Sequence, residues 1–173
     1  MAVTAAEAAA RSRLRSRARA WLLAYAVVAT VAGAAAPRLH RRRRLPGAFW
    51  LGIPLVLAGY PAGRALAGDR PSGPPPEPAL LELLALAAIV APAEELAWGG
   101  QVEPRLGVVA TAVLFALKHV AIDGRWRRAP GLAFFWLGLG LVRSRSYRAA
   151  VGLHVAANAG GVVLGHAGGR DSF

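Results

Sequence analysis

The chain has 173 residues, of which 55% are hydrophobic and only 17% charged, with a mean hydropathy of +0.41. That balance speaks against an ordinary soluble domain and for a chain that lives in lipid. The absence of cysteine excludes disulfides, thiolate nucleophiles and cysteine metal sites. The net charge of +12 comes mostly from arginines clustered between apolar blocks, a distribution that orients membrane proteins or meets anionic headgroups. Nucleic acid is not expected as a partner, because no aromatic-interleaved basic motif accompanies the charge.

In chain order, residues 1–19 form a basic arm in which Arg11, Arg13, Arg15, Arg17 and Arg19 alternate with small or apolar residues. Residues 20–67 hold the first apolar segments. Ala20 to Ala36 would reach about 25 Å as a helix, against about 30 Å for a hydrocarbon core, so it either spans marginally or lies on the membrane. A cleaved signal peptide is the rival reading, opposed by Pro37 directly after the alanines. Phe49 to Leu66 contains Pro54 and Pro61 and reads as a kinked span. Residues 68–78, GDRPSGPPPEP, cannot continue a helix and form a linker.

Residues 79–167 read as the working core. A long apolar helix is expected from Ala79 to about Glu103, kinked at Pro92, followed by Gly107 to Ile122, Pro130 to Val142 and Ala149 to Gly165. Residues 168–173 are a short tail. The expected fold is therefore all-α: a polytopic transmembrane bundle of five to six apolar segments with a four-helix core. Ala156 with Gly160, and Gly161 with Gly165, have the four-residue small-residue spacing that lets membrane helices approach closely. The positive-inside rule favours the amino-terminal arm, Arg38 to Arg44, Arg105, and Arg143 to Arg148 on one cytoplasmic side, with the first apolar segment not crossing.

Ionisable groups within apolar segments are functional candidates by default. Here they are Glu94, Glu95, Lys118, His119, His154 and the amide Asn158, with Glu82 nearer a helix end. If the spans alternate, the turn near Pro104 and the loop from Arg143 to Arg148 share a side, and Glu95, His119, His154 and Asn158 fall within about 10 Å of depth. Phe115 and His119 share a helical face, as do His154 and Asn158, whereas Glu94 and Glu95 diverge by about 100°. Each of these residues alone is as well explained as hydrogen-bonding glue between helices; convergence in depth favours a site. Lys118 is expected to snorkel towards an interface, and His40 and His166 to be plain surface residues.

Glu94-Glu95, then Phe115-x-x-x-His119, then His154-x-x-x-Asn158 resemble, in order, the three motifs of the CPBP family, the CAAX protease and bacteriocin-processing intramembrane proteases. The resemblance covers about Ala79 to Gly165 and extends to the Phe134-Phe135-Trp136-Leu137-Gly138 run. It implies an integral protein of a bacterial-type cell membrane, with a cytoplasmic amino terminus, that acts as a peptidase on a membrane-associated peptide or protein. Glu94 or Glu95 with His119 would activate water, and His154 with Asn158 would stabilise the oxyanion. Zinc bound by glutamates and histidines and a metal-free mechanism are both open, because the spacing is not the His-Glu-x-x-His pattern.

The chain departs from the family where the first motif usually ends in arginine: that position is Gly99. Either Arg105 or Lys118 supplies the missing charge, or one glutamate stays protonated, or the chain is a non-catalytic relative that binds a peptide or bacteriocin or confers immunity.

Overall fold

The computed structural model describes residues 17–34, 46–69 and 73–171. The expectations for the rest of the basic arm, for Pro37, His40 and Arg38 to Arg44, for residues 70–72 of the linker and for the last two residues lie outside them. The described residues form helices and turns, without a strand. They comprise α1 (Arg17–Ala34), α2 (Pro46–Leu66), α3 (residues 79–106), α4 (Val108–Asp123), a 3-10 turn (Trp126–Arg128), α5 (Ala129–Arg143) and α6 (Tyr147–Ala167). One of these helices, α6, is by itself long and apolar enough to cross a membrane.

Local chemistry sets the helix ends. Gly107 and Gly124, both at positive φ, bound α4, the left-handed conformation at a helix terminus being cheap only without a Cβ. Pro130 sits in the first turn of α5, where its missing N–H costs nothing. Ser146 caps α6 by accepting from the Ala149 N–H at 3.1 Å.

Helix α3 runs unbroken but changes width. Alpha-helical turns at Ala79–Glu82, Ala91–Glu94 and Glu103–Leu106 alternate with π-helical stretches at Leu83–Val90 and Glu95–Val102. Pro92 supplies a reason for the first stretch: a proline ring clashes with the carbonyl four residues back, and the wider turn, in which the Ala91 N–H reaches Leu86 O, relieves it. At Pro92, where a kink was expected, the helix passes from a π-helical stretch into an α-helical turn. Such π-turns recur at functional sites, and the two glutamates stand where one α turn passes into the second π stretch.

The amino-terminal helices are built into the bundle. Trp21, Ala24, Tyr25 and Val28 of α1 pack on Leu86, Val90 and Ala93 of α3 and Val162 of α6. Val56 of α2, Phe115 of α4, and Leu132, Trp136 and Leu139 of α5 form a second core. Arg143 at the end of α5 meets Glu103 of α3, so the α3–α4 turn and the α5–α6 loop share one end of the bundle, as the depth argument required. At the other end Asp69, after α2, binds both Arg64 at 2.6 Å and Arg125 at 3.3 Å.

Of the small residues on α6 expected to allow close helix approach, Gly165 is buried while Gly160 is not packed. Gly160 has open space around it and, with Ala156, Ala157 and Gly161, borders a cavity; a face without side chains makes room there instead of a seam. The seam lies between α2 and α5. A Cβ on Gly52 would come within 2.7 Å of Gly138 O, and one on Gly63 would strike the Gly131 backbone. Gly63→Ala is therefore expected to cost about 1–3 kcal/mol by overpacking, read as a lower unfolding midpoint in detergent, while Gly160→Ala leaves that midpoint unchanged.

Candidate active site

Glu94 and Glu95 are 3% and 0% exposed, and a buried carboxylate is tolerated only with partners. The angle between neighbouring residues on α3 sends them to different neighbours. Glu94 turns to α1 and α4, where its Oε1 accepts from Tyr25 Oη at 2.8 Å and from Lys118 Nζ at 2.5 Å. Glu95 turns to α5 and α6, where it pairs with Arg143 and accepts from His154 Nδ1 at 3.2 Å.

Arg143 joins two carboxylates. Besides Glu95 it binds Glu103 Oε2 at 2.6 Å, Trp136 Nε1 donates to the same oxygen at 3.2 Å, and the guanidinium lies 4.8 Å from the Trp136 ring centroid. Planar charge, forked donors and stacking are what distinguish arginine from lysine at such a place. Gly99 makes the arrangement possible: a Cβ there would stand 2.9 Å from Arg143 Cζ and Nη1. A guanidinium arriving from α5 thus occupies, beside Glu95, the room that a side chain at position 99 of α3 would need.

The histidines complete the cluster. His119 Nδ1 donates to Phe115 O at 2.8 Å, a carbonyl being able only to accept, and its Nε2 lies 3.7 Å from Glu94 Oε1. His154, 1% exposed, has its Nε2 3.7 Å from Glu94 Oε2. Phe115 packs on His119 and on Trp136, at centroid distances of 4.5 and 4.2 Å, and Phe135 meets His154 edge-on at 5.0 Å. A separation of 3.7 Å is too long for a direct hydrogen bond, and a water reaching both groups would sit to one side of the line joining them.

A cavity of about 770 Å³ opens on this cluster, and Glu94, His119, His154 and Asn158 line it along with Tyr25, Leu86 and Phe135. Glu95 does not border it. The structure therefore divides the carboxylates: Glu94 faces the cavity, and Glu95 holds His154 and Arg143. Asn158 borders the cavity too, but its amide donates to Leu86 O at 3.0 Å, tying α6 to the π-helical part of α3.

Three residues stand elsewhere than expected. Lys118, expected to snorkel, is 5% exposed and paired with Glu94, because a buried ammonium needs a counter-charge. Arg143 is buried and belongs to the site, not the loop. His166 is half-buried, its Nε2 3.1 Å from Glu82 Oε2. Tyr25 and Glu103 carry no sequence signal of their own, and Trp136 only its place in the Phe134 to Gly138 run. A metal fits this donor set poorly, because an ammonium and a guanidinium already engage the two carboxylates, and no group of three or more His, Asp or Glu side chains among the described residues is arranged to hold an ion.

The Arg143 guanidinium is the far end of a flexible chain, yet two carboxylates and a stacked ring pin it. Gly99→Ala should therefore lower the unfolding midpoint in detergent by the equivalent of about 1–3 kcal/mol, and Arg143→Met by about 3–5 kcal/mol, since two buried carboxylates lose their cation. Gly99→Arg should fold well only with Arg143→Ala in the same chain. Compared with known proteins, the chain matches no family model, no curated protein and no solved structure.

Proposed function

We propose that the chain is a polytopic membrane protein of the CPBP type that hydrolyses a peptide bond in a membrane-associated substrate, with Glu94 as the base. The observation carrying this reading is the setting of Glu94: a buried carboxylate on a cavity wall, with an imidazole Nε2 from α4 and another from α6 each 3.7 Å from its oxygens. A water between them would be polarised from several sides in a place most solvent does not reach.

Inverted polarity supports the membrane setting. Leu23, Val27 and Val31 along one face of α1, Trp50 and Leu51 of α2, and Leu164 of α6 are all at least 60% exposed, while Glu94, Glu95, Glu103, Lys118, Arg143 and His154 are at most 5% exposed. Water would favour the reverse, whereas lipid accepts apolar side chains outside and admits ionisable ones only when paired within. Charged groups gather at the two ends, with Arg105, Arg145 and Arg148 at one and Asp69, Asp123 and Arg125 at the other.

In the proposed reaction the water oxygen attacks the peptide carbonyl carbon while Glu94 takes one of its protons. With both Nδ1 hydrogens already engaged, an imidazole meets the oxyanion only as an imidazolium that carries a second N–H at Nε2. The proton then passes to the departing nitrogen as the C–N bond breaks, leaving a carboxyl and an amine. Substrate enters through the cavity, whose apolar lining of Val56, Leu57, Leu132 and Leu164 suits an apolar peptide segment.

A second reading, a non-catalytic membrane protein that binds a peptide, draws on Asn158, whose amide is given to Leu86 O instead of a substrate oxyanion. One assay separates the two. With the chain in liposomes and a peptide library as substrate, the parent should turn over, Glu94→Gln should lower kcat by about 10²–10⁴-fold with folding retained, and Asn158→Ala should act chiefly on stability. A parent that binds peptide without cleaving it decides for the second reading.

A further inference from the structure

Resting on the hydrolytic reading, we propose that Lys118 and Tyr25 are positioning residues that pin one oxygen of Glu94 and turn the other to the cavity, making α1 a working part of the site. Lys118 Nζ lies 2.5 Å from Glu94 Oε1 and 2.7 Å from Tyr25 Oη. Tyr25 Oη is in turn 2.8 Å from the same carboxylate oxygen. The lysine has only donors, so the tyrosine oxygen accepts from it and passes its own proton to Glu94. The three groups close a ring of three hydrogen bonds, two given by Lys118 and one by Tyr25.

The ring has a geometric consequence. Oε1 is held from two directions by groups on two different helices, so the carboxylate cannot rotate, and Oε2 is left on the side of His154 Nε2, 3.7 Å away. A base whose proton-accepting oxygen is fixed before substrate arrives needs no reorganisation during reaction. Lys118 is itself fixed: it is buried, with its ammonium 5.1 Å from the Phe115 ring centroid, 5.3 Å from Tyr25 and 5.9 Å from Trp98, contacts that favour a cation. A lysine placed only to neutralise charge would not need Tyr25, which reaches the site from α1.

The test uses the full chain in liposomes. Lys118→Ala, checked for folding by circular dichroism and thermal unfolding, should lose about 100-fold in kcat, the scale of a misplaced reacting group, with KM changed less than threefold. Methylammonium in the buffer should restore part of kcat in Lys118→Ala and none in Glu94→Gln, a response that a purely structural lysine would not give. Lys118→Arg should retain more activity than Lys118→Ala, and Tyr25→Phe should lose about tenfold.

Isotope-edited infrared spectra, with the Glu94 carboxylate band identified by subtracting Glu94→Gln, read the same contact without turnover. That band should move in Lys118→Met and in Tyr25→Phe. An unmoved band, or a folded Lys118→Ala with parental kcat, overturns the proposal. A parent without turnover overturns the hydrolytic reading instead, and the infrared band then decides by itself whether Lys118 and Tyr25 hold Glu94.

Discussion

A carboxylate withdrawn from water must be met by cations or donors, and four of them, Glu82, Glu94, Glu95 and Glu103, are buried within one helix, α3. Much of the rest of the bundle answers that requirement. Lys118 arrives from α4 for Glu94, Arg143 from α5 for both Glu95 and Glu103, His154 from α6 for Glu95, and Tyr25 from α1 for Glu94. Four helices are drawn to a fifth by charge. The attraction is strong because the surroundings screen little, and for the same reason each contact is costly to break. Apolar packing alone would allow these helices to slide; the ion pairs fix their depth and rotation.

Helix α3 is shaped to display these groups. A regular α-helix would set Glu94, Glu95 and Glu103 at fixed angles of about 100° per residue; the π-helical stretches, which flank the pair and end just before Glu103, change that phase. Small residues do complementary work elsewhere. Glycines on α2 and α5 bring those helices together, Gly99 yields its volume to a guanidinium, and the alanine and glycine face of α6 leaves a cavity. The same residue type thus closes one interface and opens another, according to what lies opposite.

The relation between Gly99 and Arg143 shows how a charge absent from one helix can be supplied by another. Read along the chain, the glycine leaves a carboxylate pair without its arginine. Read in space, the charge is present, because a guanidinium from α5 occupies the room that a side chain at position 99 would need. Asn158 works the other way, its amide tying two helices together although it borders the cavity.

From its sequence the chain was legible as helical, with segment ends close to those observed, because apolar runs, prolines and glycines act on the backbone within a few residues of themselves. The shared depth of Glu95, His119, His154 and Asn158 could also be read, since helical rise converts residue count into depth. Which carboxylate faces the cavity, that Lys118 turns inward, that Arg143 leaves its loop for the site, and that Tyr25 joins it were settled only by tertiary structure. Depth along a helix follows from local geometry, but rotation about its axis and the choice of neighbour depend on how all the helices pack. A buried charge finds its partner across that packing, at sequence separations for which no periodicity gives a sign.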